Sequence, residues 1–173
     1  MKLFNKTFPM ISAPSFAGKA VLATALSLAF GAPAFAQTTA ATTATFEVTA
    51  INEISLSGTA PVLTINAAVA GVAPTPTTAS QTYAVTTNET AKISAALDAA
   101  MPDGLTLTAA MAAPTGATSL SAVALTTTGQ DLVTGISKLN EAGLALTYGL
   151  AATSAAGVVG SSNRVITYTI TAI

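Results

Sequence analysis

The chain has 173 residues, of which 51% are hydrophobic and only 8% are charged, and its formal net charge at pH 7 is −1. It contains no histidine, no cysteine and no tryptophan. These absences exclude Ser-His-Asp and Cys-His catalysis, zinc sites built from the usual ligands, and disulfide bonds. We therefore expect a protein that is not an enzyme, with no catalytic residues, no metal site and no cofactor.

Residues 1–36 carry the three parts of a secretory signal peptide in the usual order: a basic start, an apolar core at 20–30 and the small-residue exit APAFA. A transmembrane anchor is the alternative, but a span needs about 20 apolar residues. Here Gly31 and Pro33 interrupt the run. The pattern predicts cleavage before Gln37, no membrane span afterwards, and export to the periplasm, the cell surface or the medium.

The remaining residues, 37–173, have the length of one domain. They hold three basic and seven acidic side chains, a net charge of −4. Such a chain cannot neutralise a row of phosphates, so we expect no nucleic-acid partner. Its sparse charge and its many threonine, serine and alanine residues are typical of extracellular walls and self-assembling coats.

The mature chain begins with QTTAATTAT (37–45), which lacks periodic apolar residues and is predicted to be a flexible leader. The next stretch, TFEVTAINEISLSG, alternates apolar and polar residues and changes register at 51–52, which suggests a bulge or a crossing between sheets. Phe46, Val48 and Ala50 share one side of the predicted strand, and Ile54 and Leu56 resume the pattern after the change of register.

Short alternating runs separated by turn-forming residues continue to the end of the sequence. Because no long helix is indicated, we predict an all-β protein: a single domain at 46–173 with an Ig-like antiparallel β-sandwich of about 7–9 strands. The further predicted strands are 61–68, 80–87, 91–98, 105–112, 121–127, 131–136, 144–152 and 164–173, and NEAG (140–143) is one of the predicted turns between them.

The stretch TAKISAALDAAMPDGLTLTAAM (90–111) can be interpreted either as a helix or as two strands joined by a turn. Its alanines favour a helix. However, both flanking segments alternate with period two, and Pro102-Asp103-Gly104 is a turn signal. We therefore favour a hairpin of strands, preceded by a tight turn at 88–89.

The carboxylates are the candidates for acid–base chemistry or calcium binding. Asp98 and Asp103 form the closest pair that a hairpin could bring together, but they are better explained as a strand end and a turn residue. No DxDxDG ligand ladder is present. The NET motif at 88–90 matches the N-glycosylation pattern, yet we assign it to a turn.

Three blocks resemble cysteine-free fimbrial subunits of the colonisation-factor type: TFEVTAINEISLSG, TYAVTTNETAKISAALD and RVITYTITAI. The resemblance implies an Ig-like sandwich that lacks one strand, whose groove receives the N-terminal strand of the next subunit. It makes Phe46, Val48, Ala50, Ile54 and Leu56 candidate donor-strand residues and neighbouring subunits the candidate partners. Other secreted β-sandwich surface and biofilm-matrix proteins are similar in style.

Two alternatives stay open at this stage. Residues 45–57 can equally be the first strand of their own domain. An assembly chaperone and usher are possible partners, but nothing in the sequence supports them. The prediction is a non-catalytic exported structural protein, a fimbria-like, cell-surface or matrix subunit assembling by strand exchange. The alternative is a monomeric exported domain that binds glycan or protein.

Overall fold

Seven antiparallel strands form one sheet in the computed structural model, which describes residues 39–173. The predicted signal peptide, 1–36, lies outside the described residues. Residues 45–173 form one compact unit, and the preceding described residues, 39–44, are exposed without regular structure. Within the described part, no helix is long and apolar enough to cross a membrane.

The strand order is β1-β2-β6-β3-β5, with β4 paired to β6 and β7 paired to β2. The prediction of an all-β, antiparallel fold is confirmed, and the hydrogen bonding joins all seven strands in a single sheet. A 3₁₀ turn, Ser154–Ala156, is the helical element of the described chain. The strands are β1 Asn52–Ser57, β2 Thr77–Leu97, β3 Leu105–Met111, β4 Thr118–Ser119, β5 Val123–Ala124, β6 Gln130–Ala152 and β7 Ile166–Ala172.

Two of these strands, β2 and β6, have 21 and 23 residues and pair with each other along most of their length. The predicted turns at 88–89 and at NEAG (140–143) are therefore wrong, since both segments lie inside continuous strands. The pairing shifts register between Thr87 and Thr90 and at three other places in β2. β-Bulges accommodate the extra residues. In β6 the positive φ angles of Gly135 and Gly143 allow the backbone geometry that these bulges need.

The bulges divide the long strands into two halves. The first half of β2 pairs with β1, and its second half, from Ala91 onward, pairs with β7. Side chains from both halves belong to one buried cluster, which includes Tyr83 and Val85 on one side of the bulges and Ile93 and Leu97 on the other. In residues 39–173 the secondary structure around this cluster is therefore supplied by strands rather than by a helical layer.

The predicted strand at 61–68 is wrong, because no strand is present between β1 and β2. The segment still alternates, with Leu63 packed against the core and Val62 exposed. Pro61 has no N–H to donate. Residues 61–65 are therefore extended chain beside the sheet without the hydrogen bonds of a strand.

In the stretch 90–111 the strand interpretation is confirmed and the hairpin is wrong. Strand β2 runs to Leu97, a turn closed by Leu105 N donating to Pro102 O (3.0 Å) follows, and β3 begins at Leu105. However, β2 and β3 do not pair with each other; both pair with β6, which lies between them. The connection therefore crosses over an intervening strand, a relation that local sequence patterns do not encode.

The turn at Gly104 provides a test of this connection. An added Cβ at Gly104 (φ +78°) would lie 2.5 Å from Ala156 N, whereas at Gly116 (φ +80°) it would meet no atom within 4 Å. We expect Gly104→Ala to lower the free energy of unfolding by about 2–4 kcal/mol, since strain and a backbone clash combine. Gly116→Ala should lower the free energy of unfolding by about 1 kcal/mol, because it introduces backbone strain without a clash. Equal losses in urea titrations of the two variants would contradict this packing.

Candidate assembly site

The segment 45–50 (TFEVTA) precedes β1 and pairs with no strand among the described residues. Its large apolar side chains point into solvent: Phe46 is 91% exposed and Val48 is 78% exposed. Ala50 is exposed as well. Of the five predicted donor-strand residues, these three therefore lie on a segment that the subunit leaves uncovered.

The other two predicted residues, Ile54 and Leu56, lie in β1 and pair with Val85 and Tyr83 of the same sheet. Ile54 also packs against the core. The structure thus divides the predicted set at residue 51. The part that can reach another molecule without opening the sheet is 45–50.

Asn88 fixes the base of this free segment. Its Nδ2 donates to Thr49 O (2.8 Å), and its Oδ1 accepts from Ile51 N (2.8 Å). Beside it, Asn52 Nδ2 donates to Glu89 Oε2 (2.7 Å). The NET motif, assigned above to a turn, is instead a bulge inside β2 whose polar side chains hold the start of β1.

The outer edge of β7 is unpaired in the described structure. Ile173 N donates to Thr90 O and Asp98 N donates to Val165 O, so odd-numbered residues of this strand bond to β2. In an antiparallel ladder the alternate residues direct N–H and C=O the opposite way. The peptide groups of Tyr168 and Ile170 therefore face away from β2 and have no strand partner.

A groove of about 580 Å³ lies under this edge. Its walls come from the segment after β1, from the turn after β2 and from the starts of β3 and β7. Apolar side chains make up most of the lining, and polar side chains contribute the rest. The apolar residues include Leu56, Leu63, Met101, Leu107, Leu150 and Ile166, and the polar ones include Gln81, Tyr148, Asn163, Arg164 and Tyr168.

Two tyrosines and a glutamine form a hydrogen-bonded chain on the polar side of the groove. Tyr168 donates its hydroxyl to Tyr148 Oη (3.0 Å), and Tyr148 donates to Gln81 Oε1 (2.9 Å). Burial raises the pKa of both tyrosines, and the hydrogen bond between them raises that of Tyr168 further. The hydroxyls therefore stay neutral at physiological pH and are satisfied within the protein.

Asp98 and Asp131 each bond to other groups of the same subunit. Asp98 Oδ1 accepts from Val165 N (3.0 Å) and from Ala99 N (2.9 Å), which fixes the start of β7 just after β2 ends. Lys92 Nζ pairs with Asp131 Oδ2 at 3.0 Å. Residues 39–173 contain no cluster of three or more carboxylate, histidine or cysteine groups arranged to hold a metal ion.

Sequence reasoning did not identify the groove or the unpaired edge of β7. Alternation in RVITYTITAI predicts that Ile166, Tyr168, Ile170 and Ala172 share one side of the strand; the first three are half-buried, and Ala172 is exposed. Nothing in the pattern indicated which neighbours β7 would have, because pairing depends on residues far away in the sequence.

Comparisons of this chain with protein-family models, with curated protein sequences and with solved structures found no significant match.

The buried tyrosine Tyr83 gives the fold a dependence on alkaline pH. Burial, with a smaller contribution from the charge of Glu141, raises its pKa to about 12 from the ordinary value of 10.0. The stability that this group contributes is present below pH 10 and is lost as the pH rises towards 12, because the unfolded chain ionises first. A difference of two pKa units corresponds to a free energy on the order of 3 kcal/mol.

We expect the free energy of unfolding, measured in urea, to fall between pH 9 and pH 11.5. In Tyr83→Phe the fall should be smaller, because the variant cannot ionise there, even though it also loses the hydrogen bond that Tyr83 donates to Ala112 O. Parallel pH profiles for the two proteins would contradict the assignment.

Proposed function

We propose that this protein is an exported, non-catalytic structural subunit, fimbria-like or part of a cell surface or biofilm matrix, that associates with further copies of itself through its N-terminal segment. The observation that carries the proposal is the exposure of Phe46 and Val48 on an extended, unpaired segment. Burying one such side chain stabilises a protein by about 1.5–3 kcal/mol. Binding of the segment to another surface would bury both side chains and gain this stabilisation.

An Ig-like, sandwich-like arrangement is part of the same proposal. A single sheet that folds over its own apolar face can present two facing layers, and such layers have open sides where an edge strand is absent. The sparse charge of the mature chain agrees with close packing of subunits. Export follows from the proposed signal peptide at 1–36.

The alternative, a glycan-binding domain, has less support. Sugar platforms use exposed aromatic rings, whereas Tyr83 and Tyr148 are buried and Tyr168 is half-buried. Their hydroxyls already bond to protein atoms, so a sugar would have to compete for them. The exposed apolar side chains at 46 and 48 would also have no role in such a domain.

The proposal predicts that charge at positions 46 and 48 abolishes association. In the full chain, exported from a bacterial host, we expect Phe46→Asp/Val48→Asp to remain monomeric in sedimentation velocity where the unchanged protein forms oligomers or filaments. Its melting temperature should stay close to that of the unchanged protein, because both side chains are exposed.

The matched control is Val69→Asp/Val72→Asp, which places the same charges on two exposed valines of the loop between β1 and β2. This control should associate as the unchanged protein does. An unchanged protein that stays monomeric at every concentration, or a Phe46→Asp/Val48→Asp variant that still forms filaments, would refute the proposal.

A further inference from the structure

We infer that the acceptor for residues 45–50 is the groove under β7 of a second copy of this chain. The segment adds as a strand to the outer edge of β7 and places Phe46 and Val48 beside Ile166 and Tyr168. This inference rests on the proposed self-association and specifies its acceptor surface.

The outer edge of β7 has free hydrogen-bonding groups. Its even-numbered residues direct their N–H and C=O groups away from β2, and within residues 39–173 no strand receives them. Such a row of free groups is a template for an added strand. The donor segment, six residues long, spans about 20 Å when extended, which is close to the length of β7.

The inward side chains of β7 and those of an added strand would lie on the same face of the sheet. The residues of β7 whose peptide groups face the free edge have side chains that face inward, and two of them, Ile166 and Tyr168, line the groove. Side chains at every second position of an added strand lie on that same face of the sheet. Phe46 and Val48, two positions apart, would therefore enter the groove together.

The N-terminal segment of a subunit is held at the opposite end of β7 from the groove of the same subunit. Asn88 holds Thr49 and Ile51 near the end of β7, where Ile173 bonds to Thr90, whereas the groove lies at the start of that strand. The subunit's own Phe46 is almost fully exposed and does not fold back. A second copy therefore fills the groove.

Charge agrees with this pairing. Among the described residues that line the groove, Arg164 is the charged one, and in the segment 45–50 the charged residue is Glu47. Since Glu47 lies between Phe46 and Val48, its side chain would be on the outer face of the added strand, so the opposite charges favour the encounter of the two copies without adding a contact inside the groove.

The opposite side of the sheet is a weaker acceptor. Its edge strands, β4 and β5, have two residues each, too few to align a six-residue segment. Leu97 N also donates to Thr126 O (2.8 Å), which ties the chain after β5 to the end of β2. The β7 side has the longer free edge.

A proline at position 170 tests the edge directly. The N–H of Ile170 faces away from β2, so Ile170→Pro removes no hydrogen bond of the monomer but removes a donor that the added strand needs. Ile170→Ala deletes the same side chain and keeps the N–H. We expect both full-length variants to melt at similar temperatures, with oligomers lost in Ile170→Pro and retained in Ile170→Ala.

Ile170→Pro that associates as well as Ile170→Ala would overturn the inference. If Phe46→Asp/Val48→Asp blocks association while Ile170→Pro does not, the acceptor is wrong and the proposed function stands. If the unchanged protein never associates, both fail.

Disulfide trapping gives a second readout in case the proline variant does not fold. Because the chain has no cysteine, every disulfide that forms must involve the introduced residues. Two single-cysteine proteins, Val48→Cys and Met101→Cys, are mixed under oxidising conditions, one of them carrying a size tag. Val48→Cys with Thr118→Cys, at β4 on the opposite edge, is the control. We expect the mixed disulfide dimer to accumulate with Met101→Cys; equal yields with Thr118→Cys would overturn the inference.

Discussion

The continuous pairing of β2 with β6 is the constraint on which the rest of the structure depends. Because the two strands stay bonded through their bulges, both halves of the sheet contribute to one apolar cluster, which contains Tyr83 as well as Ile93. The bulges need residues that accept a positive φ, and Gly135 and Gly143 provide it. Of the other strands, β1 and β7 pair with β2, β3 and β4 pair with β6, and β5 pairs with β3.

The side of β2 that faces away from β6 is shared by two strands in line. Strand β7 covers its second half and β1 its first half, and they meet where Ile173 bonds to Thr90 and Asn88 holds Ile51. This arrangement places the exposed segment 45–50 at one end of β7 and the groove at the other. A subunit with a free strand at one end and a free edge at the other suits the head-to-tail association proposed above.

Local pattern predicted the strand character of most of the sheet but not its connections. Alternation in RVITYTITAI predicts which side chains share a face, because side chains on a strand alternate regardless of its neighbours. The predicted turns at 88–89 and 140–143 failed because turn-forming residues also build bulges, and the chemistry is the same in both settings. The crossover between β2 and β3, the groove and the free edge depend on long-range pairing, which periodicity does not encode.

Amide hydrogen exchange along β7, measured by NMR on single subunits, tests the central claim most directly. The account predicts alternation: the amides of Thr167, Thr169 and Thr171, bonded to β2, exchange slowly, and those of Tyr168 and Ile170 exchange quickly. In the Phe46→Asp/Val48→Asp variant the alternation should persist at every concentration, whereas in associated protein Tyr168 and Ile170 become protected. Uniform protection of all five amides in isolated subunits would contradict a free edge at β7.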